Sequence, residues 1–220
     1  MRKAKLRIAR FNPETDLSPY WQEYQVPWEK GDTVLWALIY VYEELDPTLA
    51  FRFGCRYKKC GLCALQIGGR ARLACLTKLK KETEISPLRN LPIARDLAID
   101  RGFLLQRLAE LKLYIPEQED LMEPGIIKEA IQHKRLMGCV ECLSCLSACP
   151  HYDYRDPGFG GPYLFVKLAQ LYFDARNEMD RKLQARKIGI ERCKGCRYWG
   201  RCVPCTSGIP IFKDAIRPLS

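Results

Sequence analysis

The chain has 220 residues, 47% of them apolar and 28% charged, with a formal net charge of +10 and twelve cysteines. That length suits one large domain or two small ones, and no apolar run approaches the roughly 18–20 residues that a transmembrane helix needs. The basic start, MRKAKLRIARF, leads into alternating charged residues rather than an apolar segment, so no secretory signal is expected and the protein is expected in the cytosol.

In chain order, Lys5–Phe11 alternates as a strand, Trp21–Val26 reads as a second, and Lys30-Gly31 marks a turn. Asp32 or Thr33 can cap a helix running to about Leu45, with Leu35, Leu38, Ile39 and Tyr42 on one side, and Pro47 stops it. A cysteine loop, FRFGCRYKKCGLC, follows, then a strand at ALQI, a turn at Gly68-Gly69 and a strand at ARLACL. Two strands, a helix, a cysteine loop and two more strands is the order of a β-grasp ferredoxin. From about Asp96 the period turns helical: 97–115, 126–137 and 163–177 carry apolar residues three and four apart, with breaks at Pro116 and Pro124-Gly125. The expected class is α+β, with a plant-type ferredoxin domain over 1–98 and an α-helical ferredoxin domain over 99–220. The boundary is expected near residues 95–105, with Leu91-Pro92 as linker.

The cysteines fall into three quartets. Cytosolic thiols stay reduced, so metal ligation is a stronger reading than disulfides. Cys55, Cys60, Cys63 and Cys75 have the C-x4-C-x2-C spacing with a distant fourth ligand that plant-type [2Fe–2S] sites use. Gly54 and Gly61 free the backbone so that N–H groups can approach the sulfides. A zinc ribbon would use two C-x2-C knuckles, and only one is present.

Cys139, Cys142, Cys145 and Cys149, followed by Pro150, form the complete C-x2-C-x2-C-x3-C-P run of bacterial ferredoxins, in which the fourth cysteine serves the other cluster of a pair. Cys193, Cys196, Cys202 and Cys205 supply the reciprocal group. By that crossover Cys205 completes a [4Fe–4S] site with Cys139, Cys142 and Cys145, while Cys149 joins Cys193, Cys196 and Cys202. Two readings stay open at this last site. Four thiolates favour [4Fe–4S], whereas a site in which one cysteine is a buried spectator, extra to the cluster, would be [3Fe–4S]. Three such clusters with their thiolates would bring the formal +10 to about +4. The cations crowding the first quartet (Arg52, Arg56, Lys58, Lys59) and the third (Arg192, Lys194, Arg197, Arg201) then read as local compensation or as solvated surface.

These motifs resemble the iron–sulfur subunit of succinate dehydrogenase and fumarate reductase. The resemblance runs through Tyr24–Val26, Thr33-Val34-Leu35, DPTLAFRFGCRYKKCGLCALQIGG, RARLACLTKL, Ile85–Leu88, Arg95-Asp96-Leu97 and Asp100. It continues through both ferredoxin motifs, Gly161-Pro162 and Asp174-Ala175-Arg176. It implies electron transfer between an FAD flavoprotein subunit and a quinone-reactive membrane partner, in the tricarboxylic acid cycle or anaerobic respiration. The protein would then sit peripherally on the inner face of the cytoplasmic membrane, with dicarboxylate chemistry on the flavoprotein and no catalytic residue here. His133 reads as a surface helix residue, and no Cys pair is followed by the His of a c-type haem site. The family's Pro-Ser-Tyr-Trp stretch near the quinone stands here as Pro150, His151, Tyr152 and Asp153. Pro150 and Tyr152 fit, the Trp is missing, and Trp199 is the candidate substitute or an interface anchor. The weak quinone motif and the extra cysteine motivate an alternative: an adaptor between a different flavoprotein and a CCG-type, heterodisulfide-reductase-like thiol/disulfide subunit. A reading from another class, a zinc-stapled basic protein on nucleic acid, needs an exposed basic-aromatic face without clusters, and no nucleic acid is expected as a partner.

Overall fold

The structure, a computed structural model, describes residues 2–115 and 129–220, which divide into two compact units. The expected breaks at Pro116 and Pro124-Gly125, and the first turn of the helix expected from Ile126, lie outside the described residues.

The first unit comprises residues 1–101 together with 140–148. Strand β1 (Arg2–Arg10) pairs antiparallel with β2 (Tyr20–Trp28), Leu6 facing Tyr24, and runs parallel to β5 (Glu82–Ser86), Ile8 beside Ile85. With β3 (Ala64–Ile67) and β4 (Arg70–Leu73) they form one mixed sheet in the order β2-β1-β5-β3-β4. The alternation read from β1 buries Ala4, Leu6 and Ile8 on one face. Helix α1 (Val34–Tyr40) buries Val34, Leu35, Ala37 and Leu38, and a π-type turn carries it from Val41 to Leu45. Thr33 caps it, its hydroxyl accepting from the Trp36 N–H at 3.2 Å.

Two departures from the sequence expectation have plain causes. β5 lies at the middle of the sheet, yet ETEIS turns only Thr83 and Ile85 inward, so its period carries almost no apolar signal. The helix expected from Leu97 begins instead with α2 (Gly102–Glu110), because Leu97, Ala98 and Ile99 are buried in and beside a small hairpin of β6 (Ile93–Arg95) and β7 (Ala98–Ile99). ARLACL is a strand only as far as Leu73.

Inside this unit lies a buried polar hub. Arg10, 5% exposed, donates to Asp96 (3.0 Å), Gln22 (2.7 Å), Tyr24 (2.6 Å), Asp46 (2.5 Å) and Thr48 (2.9 Å). Asp96 also accepts the main-chain N–H groups of Phe11 (2.9 Å) and Ala50 (2.8 Å). The hub therefore ties β1, β2 and the β6–β7 hairpin to the segment that leads into the first cysteine loop.

The second unit comprises residues 102–139 and 149–220. Its centre is α5 (Gly161–Tyr172), buried on all sides through Tyr163, Leu164, Phe165, Val166, Leu168 and Ala169. Around it pack α3 (Ile131–Leu136), α6 (Arg181–Lys187), a π-type turn at Phe212–Ile216 and α7 (Arg217–Leu219). Asp180 caps α6 by accepting the Leu183 N–H at 2.9 Å. Arg181, 1% exposed, donates to the side chains of Asn177 and Gln184 and to the carbonyls of Lys112 and Tyr114, which closes the chain after α2. Among the described residues no helix is long and apolar enough to cross a membrane.

Candidate functional site

No disulfide joins any of the twelve cysteines. In the first unit, the β3–β4 hairpin brings two of them together: Cys63 directly precedes β3, Cys75 closely follows β4, and Ala74 N–H donates to the Cys63 carbonyl at 2.9 Å. Tight reversal at Gly68 and Gly69 uses positive φ at both. The start of α1 holds the far side, since the Leu35 and Val34 N–H groups donate to the Ala74 and Thr77 carbonyls. Between α1 and β3 the loop alternates in hand, with positive φ at Arg56, Lys58 and Gly61. Such alternation turns successive N–H groups inward into an anion-binding nest. Here they aim at sulfur: Lys59 N–H and Cys60 N–H donate to Cys55 Sγ at 3.1 and 3.2 Å, and Cys55 N–H to Cys60 Sγ at 3.4 Å.

The thiol acidities separate accordingly. Desolvation acts to raise Cys55, but N–H donation from Tyr57, Lys59 and Cys60 outweighs it and brings the thiol down to about 7. Burial pushes Cys63 up to about 12, with Cys75 and Cys60 adding to the rise. A cationic core bound beside it would favour the thiolate.

Residues 140–148 belong to the same unit and carry Cys142 and Cys145, the latter on α4 (Ser144–Ala148). Glu141 and Leu143 have positive φ, repeating the alternation of the first loop. Cys142 Sγ lies 3.4 Å from the Ser144 hydroxyl. Ser147, which sequence reasoning missed, accepts from Gln66 Nε2 on β3 and from Arg89 N–H, both at 2.7 Å. A small polar residue two past a cysteine is too common a pattern to have singled it out. Cys139 and Cys205 belong to the second unit. Cys139 closes the turn after α3 through its N–H to Leu136 O, and Cys205 Sγ accepts from Ser207 N–H at 3.3 Å.

Within the second unit one pocket is lined by Cys149, Cys193, Cys196 and Cys202. Its other walls are apolar or aromatic, among them Pro150, Pro162, Trp199, Phe212 and Ile216, with His151 at the edge; no carboxylate or ammonium lines it among the described residues. Burial pushes Cys193 up to about 12 and Cys202 up to about 11, and raises Cys149 as well; the neighbouring sulfurs add to each rise. Cys202 has positive φ, and Tyr198 N–H donates to Cys196 Sγ at 3.4 Å. Trp199 lines this pocket and meets Phe212 edge-on, ring centres 4.8 Å apart. Tyr152 does not: it is buried and lines a different cavity with Phe103, Arg107 and Tyr154. His133 sits on α3, bonded to Glu129 at 2.8 Å.

Among the described residues no three His, Cys, Asp or Glu side chains converge as a single metal ion requires. Four cysteines lining one largely apolar pocket are a donor set that an iron–sulfur core takes.

The model of the 2Fe-2S iron-sulfur cluster binding domain family matches residues 5–106. The fumarate reductase iron-sulfur subunit of Mycobacterium tuberculosis is 31% identical over 220 residues, covering 95% of this chain and 88% of that protein. The chain belongs to the iron–sulfur subunit family of succinate dehydrogenase and fumarate reductase. A member of the Mycobacterium smegmatis Sdh1 complex, solved in the apo form, superposes with a TM-score of 0.80 at 27% identity, over 99% of this chain and 93% of that one. Two archaeal relatives are longer. An uncharacterized iron-sulfur protein of Methanocaldococcus jannaschii is 37% identical over 98% of this chain but only 42% of its own length. One subunit of the fumarate reductase (CoM/CoB) of Methanothermobacter marburgensis is 29% identical over 97% of this chain and 43% of its own length. The chain thus spans about two fifths of these relatives.

Proposed function

We propose that the chain is a relay for single electrons, with a β-grasp plant-type ferredoxin domain and an α-helical ferredoxin domain. The proposed sites are a [2Fe–2S] centre on Cys55, Cys60, Cys63 and Cys75, a [4Fe–4S] centre on Cys139, Cys142, Cys145 and Cys205, and a third centre on Cys149, Cys193, Cys196 and Cys202. Iron–sulfur clusters bound there supply reversible one-electron storage. The residues do the rest: thiolates hold the iron, inward N–H groups stabilise the added charge, and apolar walls such as Trp199 and Phe212 keep water from the sulfurs. In this reading an FAD flavoprotein exchanges electrons with the first centre, and a membrane-anchored, quinone-reactive partner with the third. The chain would itself be peripheral on the inner face of the cytoplasmic membrane and contribute no catalytic residue.

The observation that carries this reading is the pocket lined by four cysteine sulfurs and otherwise apolar, which favours [4Fe–4S] over [3Fe–4S] at the third centre. Low-temperature EPR of the anaerobically purified, oxidised protein tests it. Silence supports four-ligand cubanes, whereas the sharp signal of an oxidised three-iron centre refutes that assignment. A colourless protein with stoichiometric zinc would end the iron–sulfur reading.

A second reading is favoured by the similarity to the Methanothermobacter marburgensis fumarate reductase (CoM/CoB), whose name ties that enzyme to CoM and CoB. The third centre would then serve a CCG-type thiol/disulfide partner instead of a quinone site. That Tyr152 does not line the cysteine pocket agrees with it. Co-purification decides: a haem-bearing or hydrophobic anchor with quinone reductase activity supports the first reading, and a cysteine-rich partner without it supports the second.

A further inference from the structure

The first unit holds ligands of two different proposed centres, and one glycine stands where their loops meet. Gly61 lies between Cys60 and Cys63 with φ +67. A Cβ built there would overlap the carbonyl oxygen of Val140, stand 2.9 Å from the Cys142 N–H nitrogen and 3.0 Å from Cys142 Cα. These are main-chain atoms that cannot rotate aside. The main chain of the first cysteine loop therefore touches the main chain of the second, with no side chain between them.

Two further ties hold the loops at that separation. Ser147, two residues past Cys145, takes hydrogen bonds of 2.7 Å from Gln66, three residues past Cys63, and from the Arg89 N–H. Arg101 donates to the Glu141 carbonyl at 3.2 Å. The second segment is thereby anchored on both sides of its cysteines, to β3 through Gln66 and to the chain after β7 through Arg101.

We propose that Gly61 is a spacing residue for electron transfer: the missing side chain lets the Cys60–Cys63 loop rest on the Val140–Cys142 backbone and sets the gap between the first and second centres. The inference rests on the ligand sets proposed above and adds to them. The step it serves moves one electron, oxidising one centre and reducing the other, with no bond made and no proton exchanged. Such transfer falls exponentially with distance, so a widened gap is felt even where both sites stay intact.

A backbone-strain explanation makes a different prediction. Alanine at any positive-φ glycine is strained, but Gly68 (φ +56) has nothing within 4 Å of its Cβ position. Gly61→Ala and Gly68→Ala thus carry similar torsional strain, and only the first closes on another loop.

The test uses the full chain, purified anaerobically, with iron and sulfide counted per chain. The readouts are the spin–spin interaction between the reduced first and second centres by low-temperature EPR, the rate at which an electron placed on one reaches the other, and hydrogen exchange at the Cys142 N–H. Gly61→Ala is expected to keep its iron, weaken the magnetic interaction, slow transfer several-fold and speed exchange at Cys142, while Gly68→Ala matches the native protein. Should Gly61→Ala fail to load, Ser147→Ala loosens the same spacing from the other loop and is expected to weaken the interaction. Unchanged coupling in a fully loaded Gly61→Ala protein, or in Ser147→Ala when that variant is the one that loads, overturns the proposal. Equal weakening in Gly68→Ala overturns it as well. Native protein without iron would instead sink the assignment of the centres, a result visible before any variant is made.

Discussion

Replacing Asp96 with alanine removes the carboxylate that one buried guanidinium and two main-chain N–H groups share. Arg10 keeps Asp46, so its charge is not orphaned, and the loss sits near the lower end of the roughly 3–5 kcal/mol seen when a buried ion pair is broken. The Phe11 and Ala50 N–H groups lose their acceptor, and each unsatisfied group costs about 1–3 kcal/mol when water cannot reach it. Asp96 also has φ +46, where alanine is strained by about 1–2 kcal/mol and asparagine is tolerated. At their lower ends these give a loss of about 6 kcal/mol for Asp96→Ala and about half that for Asp96→Asn, which keeps one carbonyl oxygen and suits the backbone. Asp96→Gly separates the terms, because it relieves the torsion yet still lacks the acceptor, and should fall between the two. For a unit near 100 residues, about 6 kcal/mol lowers the thermal midpoint by roughly 25 °C or more. Urea unfolding of the loaded protein, with hydrogen exchange at Ala50 and Phe11 as the local probe, measures it. An Asp96→Ala midpoint within about 1 kcal/mol of native, or Asp96→Asn as damaging as Asp96→Ala, would refute the reasoning.

Asp46 in the same hub makes the first unit acid-sensitive. Burial acts to raise its pKa, but hydrogen bonds from Thr48, Tyr24 and Arg10 outweigh that and hold it well below the usual carboxylate range. The unfolded chain then takes up a proton that the folded one refuses, so this stability is complete above about pH 4 and drains away as pH falls below it. Asp46→Asn should flatten the acid limb of the unfolding midpoint. In the second unit, Asp214 is fully buried and held by a two-pronged bond from the half-exposed Arg135 at 2.6 and 2.7 Å. Arg135→Met strands a buried carboxylate, whereas Asp214→Asn leaves a guanidinium that can turn to water, so urea unfolding should show the arginine variant as the weaker one. Thr33→Ala deletes the α1 cap and should cost about 1 kcal/mol in the same assay.

What could be read in advance divides along physical lines. Cysteine spacing is a local feature of the chain that can be read without any fold, and the alternation that buries Leu6 and Ile8 on β1 was legible in the same way. β5 was not, because a strand covered on both edges by neighbours can hold its place with one isoleucine and one threonine. The hairpin at 93–99 was hidden for the opposite reason: Leu97, Ala98 and Ile99 fit a helical period as well as a strand, and what decides is the Asp96 carboxylate pulling the chain onto Phe11 and Ala50. Ser147 and Gly61 escaped a full reading because each matters through a partner more than fifty residues away.

The excess of basic residues takes on a narrower meaning. Near the third quartet Arg192 is paired with Asp156, Lys194 lies 2.5 Å from Glu191, and Arg197 rests over the Tyr198 ring. None of these cations lines the sulfur pocket, whose walls are apolar. Side-chain charge therefore does not neutralise that site from within. The donors that do reach sulfur are main-chain N–H groups, from Lys59 and Cys60 at the first loop, Tyr198 at the third and Ser207 beside Cys205. Backbone dipoles fixed by left-handed residues need no counter-charge and do not titrate. Balance by lysines would instead be screened by salt and altered by each surface substitution.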